Sequence, residues 1–187
     1  PEKASSDIFI GNAIGISAHH EDYPALALGV MVFGGTFFAR LMTEVREKRG
    51  LTDGVSARLG GALNKMDGYF NIWGTFAPKL LKDGKRAILD EAEKIVGHGI
   101  TAKELAMFKE TVRGSYLVGL STTEGILKSL MRVMEEERPL SYLDTYPDEI
   151  SALAIHQVNS AIRLYIKPEH FITAASGPEE SDGIMTK

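Results

Sequence analysis

FGGTFFARLMTEVREKRGL, residues 33–51, sets two glycines between an apolar run and an amphipathic one. Upstream, Pro24 suits a first helical position, and the apolar run Ala25 to Phe33 predicts a buried helix that stops at Gly34-Gly35. Downstream, Thr36 is placed to cap a second helix. Phe38, Leu41, Met42 and Val45 recur at helical spacing, while Arg40, Glu44 and Lys48 stand four apart on the other side as charge pairs. Gly50 ends that helix.

Working outward, Ile8 to Ser17 mixes β-branched residues with glycine and reads as a strand running into the polar loop His19-His20-Glu21-Asp22, with Asp22 as a helix cap. On the other side, Gly54 to Leu59 and Gly68 to Phe76 are short runs separated by turn residues, which predicts an antiparallel pair. Tyr69, Phe70, Trp73 and Phe76 read as sheet core. After Pro78 the period changes, with Leu81, Gly84, Ile88, Ala92 and Ile95 on one helical face. Thr101 and Glu104 spell a capping box for a helix carrying Leu105, Phe108, Val112 and Tyr116. Ser121 with Glu124 does the same for a third, with Ile126, Leu130, Val133 and Met134 on its apolar side. Glu135-Glu136-Glu137 reads as its solvated end. Leu140 to Ile150 predicts a short connector interrupted at Pro147, Val158 to Tyr165 a last helix, and His170 to Ser176 a final strand before a polar tail. The pattern is α+β: one domain over residues 1–187, with a mainly antiparallel sheet covered by helices on one face.

Composition narrows the function. The 187 residues carry 21 basic and 25 acidic side chains, a formal charge of −4. No basic field exists to hold a phosphate backbone, so nucleic acid is not an expected partner. The longest apolar run, residues 23–38, is cut by Pro24, Gly29, Gly34, Gly35 and Thr36, and no transmembrane segment is expected. The lack of cysteine excludes a thiol nucleophile, thiolate metal ligands and disulfides, and fits either a reducing or an oxidising compartment. A chain opening on Pro1 with no leader before Asp7 is expected to be a fragment of a longer reading frame.

Taken with its neighbours, the 33–51 stretch resembles the signature of the non-catalytic halves of insulinase-like zinc peptidases, the pitrilysin and mitochondrial processing peptidase type. There, Leu-Gly-Gly-Gly-Phe-Ser-Ser-Arg-Leu runs into Val-Arg-Glu-Lys-Arg-Gly-Leu-Ala-Tyr. Gly34, Gly35, Phe37, Arg40, Leu41 and the run Val45 to Leu51 fall on those positions, and Thr36 stands where a third glycine is usual. Glu21 to Leu26, Gly99 to Leu105 and Tyr165 to Pro178 follow in family order, so the likeness covers most of residues 7–178.

The resemblance implies a clam-shell built from repeated halves. One half carries H-x-x-E-H and zinc; the other helps hold an extended peptide substrate. This chain is similar to the second kind. Its one Glu-His pair, Glu169-His170, has Ile166 where the first histidine belongs, and Pro168 breaks the helix that the spacing needs. His19 and His20, adjacent on an extended chain, point to opposite faces and read as a solvated loop. Zinc is therefore expected in the complete enzyme and not on this chain, which should be inactive alone, with an H-x-x-E-H-bearing half or subunit as its partner. The same comparison makes Arg46 and Asp53 the substrate-side positions, Asp53 standing where the family has a tyrosine. Arginine can hold a peptide carbonyl or a developing oxyanion, but an ionised aspartate cannot donate as a tyrosine hydroxyl does. Two consequences stay open: an Arg46–Asp53 ion pair that neutralises the site, or a scaffold that has lost its peptidase role. Gly34 and Gly35 are either a helix stop or a close backbone approach to a strand or peptide. Bacterial relatives imply an exported or periplasmic address.

Overall fold

The computed structural model describes residues 5–62 and 66–178. The polar tail expected after the last strand lies outside them. Strands β1 (Ser6–Ala13), β2 (Gly54–Gly60), β3 (Tyr69–Phe76) and β4 (Ile172–Ser176) form one antiparallel sheet in the order β2-β3-β1-β4. Period-2 alternation gives the sheet two unlike faces. On one, Ile8, Ile10, Val55, Ala57, Phe70, Ile72 and Phe76 are buried. On the other, register aligns Ser56, Trp73, Phe9 and Ala174 in one row across all four strands, and Phe9, Tyr69 and Ile172 are exposed. The expected aromatic core is thus divided: Phe70 and Phe76 face the helices, Tyr69 and Trp73 the open side.

Helices α1 (Tyr23–Val30), α2 (Leu81–His98) and α6 (Ile155–Tyr165) share the core with the buried sheet face. α1 is apolar on nearly every side because it is enclosed, and a Cβ on Gly29 would come within 2.7 Å of Ile162, so this glycine sets how closely α1 approaches α6. Asp22 does not cap α1 with its side chain; its carboxylate instead accepts from the Tyr165 hydroxyl at 2.7 Å, tying α1 to α6.

α3 (Ala102–Leu120) opens on the expected capping box: the Thr101 hydroxyl accepts from the Glu104 amide and Glu104 accepts from the Thr101 amide. α4 (Thr123–Glu135) and α5 (Tyr142–Ala152) depart from expectation. Thr122, in extended backbone, caps α4 through the Gly125 amide, because Ser121 is still closing α3. Of the apolar side expected for α4, Val133 alone is buried; Ile126 and Met134 are exposed. α5 passes through Pro147 unbroken. The carbonyl that a proline at this place leaves without its helical donor, that of Leu143, accepts from the Tyr116 hydroxyl at 2.8 Å. Glu136, expected in solvent, is 3% exposed and accepts from both Arg132 and Arg138 at 2.8 Å. No helix among the described residues is long and apolar enough to cross a membrane.

Candidate functional site

The segment after α1 does not break into two ordinary helices. Met31–Gly35 and Met42–Lys48 are π-helical, and Gly34-Gly35 close the first of them, where the chain turns at Thr36 into extended backbone. Wide helical turns of this kind are rare and recur at functional sites. The second segment begins later than the Thr36 cap predicts, since the Thr36 hydroxyl accepts from the Phe38 amide two residues on, before any helical turn has formed. Leu41, Met42 and Val45 are buried as expected, whereas Phe38 is 80% exposed and leaves the apolar face.

Gly34 is a close-approach glycine. A Cβ there would come within 2.4 Å of the Ala57 amide nitrogen and 2.6 Å of the Ala57 Cβ, so the turn is laid directly against edge strand β2. That contact forms one wall of a cleft of about 270 Å³, bounded by Gly34, Gly35, Thr36, Phe37 and Met42 on the turn side and by Asp53 to Ser56 and Trp73 on the sheet side. Asp53 also borders a neighbouring concavity of about 360 Å³ with Thr52, Thr75 and Ala77.

Three of the four expected site residues, Gly34, Gly35 and Asp53, therefore share one cleft. Arg46 does not line it. Its side chain is half-buried on the second π segment, and among the described residues it makes no ion pair with Asp53 or any other group. Asp53 borders the cleft and Arg46 does not, and the neutralising salt bridge between them does not form.

Most of the other charges near Arg46 are engaged, though the exposed Glu47 has no ion pair among the described residues. Lys48 pairs with Glu44 at 2.7 Å, and Arg49 and Lys94 meet the buried Glu91 at 3.3 and 2.7 Å. Arg40, assigned by spacing to Glu44, instead grips Glu104 with Nε and Nη2 at 2.6 and 2.7 Å and donates to the Gly99 carbonyl at 2.9 Å. Burial alone raises the Glu104 carboxyl, but the hydrogen bonds from Arg40 and Thr101 outweigh it and hold the group at about 2. The α3 cap is thereby clamped to the start of the Arg46-bearing segment. The sequence offered half of this, the capping box; the partner 64 residues away carried no local signal.

The residues present do not fit a zinc centre. Glu169 and His170 lie exposed in the 3₁₀ turn Pro168–His170, and His20 Nδ1 accepts from the Asp22 amide in an exposed loop. Among the described residues, no three His, Cys, Asp or Glu side chains converge on a point where a metal could sit.

A family model of the peptidase M16 inactive domain matches residues 5–112. An uncharacterized zinc protease of Streptomyces coelicolor is 30% identical over 106 residues, covering 56% of this chain and 23% of that protein. The crystal structure of a peptidase M16 inactive domain from Pseudomonas fluorescens superimposes with a TM-score of 0.81 at 27% identity, over 95% of this chain and 42% of that one. The inactive peptidase domain of a Bordetella parapertussis protein has the same fold, with a TM-score of 0.78 at 13% identity, over 95% of this chain and 93% of that one. The chain thus spans well under half the length of its Streptomyces relative.

Proposed function

The chain belongs to the peptidase M16 inactive-domain family, and on that premise we propose that it is the substrate-holding half of a zinc-dependent peptidase. Zinc and the H-x-x-E-H motif belong to another half or subunit, where the metal would polarise the scissile carbonyl and activate water. The observation that carries this reading is the cleft between the glycine turn and Trp73, which gathers three of the four expected substrate-side residues at one edge of the sheet. An exported or periplasmic address belongs to the same reading.

Arg46 supports it from outside the cleft. Arg46 is half-buried and has no hydrogen-bond acceptor or ion-pair partner among the described residues, which leaves its guanidinium to grip a peptide carbonyl. In the complete assembly, Arg46→Ala should lower kcat/KM for peptides about ten- to hundredfold while the melting temperature changes little. Unchanged kinetics would remove Arg46 from the role.

Asp53 favours one other reading, a scaffold of the same family that no longer cleaves, since no hydroxyl donor stands at the tyrosine position. Sequencing the native gene upstream of Pro1, and its neighbour, separates the two. H-x-x-E-H in either supports the peptidase, and its absence from both supports the scaffold.

A further inference from the structure

The cleft beside the glycine turn has a chemistry that would choose among peptides. Trp73, Phe37 and Met42 supply its large side chains, and Phe37 is 71% exposed. Gly54 lies against the indole, where a Cβ would stand 3.3 Å from the ring, so the absence of a side chain there leaves the edge of Trp73 open to the cleft. An apolar side chain entering gains by leaving water, and an aromatic one gains again by packing against the indole.

Charge then limits what can lie beside it. Asp53 stands where the cleft meets the neighbouring concavity, and it is the one charged side chain among the described residues lining either. It is exposed, and among the described residues no ion pair neutralises it. An ionised carboxylate only accepts hydrogen bonds, so it favours a cation and repels an acidic neighbour. A tyrosine hydroxyl at this position could not discriminate in that way.

We propose that this cleft is a side-chain subsite for an apolar residue, aromatic above all, adjacent to a lysine or arginine whose cation rests on Asp53. The proposal rests on the substrate-holding reading and adds the side-chain chemistry to it.

Trp73 is the single tryptophan of the chain, so its emission reports directly on the cleft. The 187-residue chain is titrated with acetylated, amidated Ala-Phe-Arg-Ala, Ala-Phe-Glu-Ala and Ala-Ala-Arg-Ala, which carry charge only on side chains, and binding of dye-labelled copies is followed in parallel by anisotropy. The Phe-Arg peptide should shift Trp73 emission saturably, bind about two- to fivefold tighter than the Phe-Glu peptide, the size expected of one partly screened ion pair, and bind tighter than the Ala-Arg peptide through burial of its ring. Asp53→Asn should abolish the preference for arginine over glutamate, and Asp53→Lys should reverse it, with far-UV circular dichroism unchanged. Equal affinity for the Arg and Glu peptides, or a preference that survives Asp53→Lys, overturns the subsite. Binding seen by anisotropy with no response from Trp73 overturns the subsite and leaves the substrate-holding reading standing; no peptide binding by either readout overturns both.

Discussion

Where α1, α2 and α6 meet the sheet, the joint is apolar: Phe33, Phe70, Phe76 and Ile88 are each buried to 1% exposure or less. At the corner made by α4 and α5, Val133 and Ile150 are the buried apolar residues of the two helices, and the joint is made of charges and rings. Arg132 and Arg138 converge on Glu136, Arg138 also donates to the Ala18 carbonyl, and its guanidinium sits 4.2 Å over the Tyr142 ring. The Tyr116 and Tyr146 rings pack beside them, tilted by 53° with centroids 5.0 Å apart. The first joint is non-directional and responds to volume; the second needs each partner present, because losing one leaves a buried charge without compensation.

Substitutions can break or sharpen that contrast. The largest loss should come from Phe70→Ala, which removes a ring in contact with Phe33 and Phe171 and should cost about 3–5 kcal/mol in denaturant unfolding. Glu136→Gln keeps the volume and removes the charge. It should cost about 2–3 kcal/mol, whereas a loss under about 0.5 kcal/mol would make the corner an ordinary surface site. Gly34→Ala forces a methyl onto the Ala57 backbone and should cost about 1–3 kcal/mol. It should also lower accessibility of Trp73 to a soluble quencher.

Glu104 extends the contrast to the joint between the glycine turn and α3. Its carboxyl is depressed from 4.5 to about 2, so the stability it gives is fully present above pH 4.5 and is lost as pH falls toward 2. Glu104→Gln should therefore be less stable by about 1 kcal/mol near neutrality, allowing for solvent screening. The gap to wild type should close between pH 4.5 and 2 in urea midpoints measured across that range. Smallest of all, Met134→Lys on the exposed side of α4 should stay within about 0.5 kcal/mol.

The same contrast explains what the sequence made legible. Hydrophobic periodicity located α2, α3, α6, the β2–β3 pair and the stop at Gly34-Gly35, because those elements bury apolar faces and periodicity measures that. It failed at α4, where Ile126 and Met134 follow helical spacing and still face water, and at Glu136, which looks like a solvated end until Arg132 and Arg138 are seen around it. At the site, the 33–51 signature brought Gly34 and Gly35 into view, and the family's tyrosine position just beyond it brought Asp53. The signature did not reveal that Arg46 stands apart from the cleft, since a matched motif fixes a place in the chain and not where a side chain on a π-helical segment ends up. Trp73 was hidden by its company: four aromatics in one strand suggest a core, and only the pleat separates the two that face outward.

The strand order carries a consequence in time. β1 lies in the interior of the sheet, paired on one side with β3 and on the other with β4, so that Asp7 ends up opposite Ser176. Synthesis at about 5–20 residues per second separates the two by roughly ten to thirty seconds. Until β4 has been made, the side of β1 that it covers in the finished sheet is left to offer its amides and carbonyls to any extended segment nearby. Completion of the sheet is therefore a late event in the life of each molecule, and β4 is the strand that closes it.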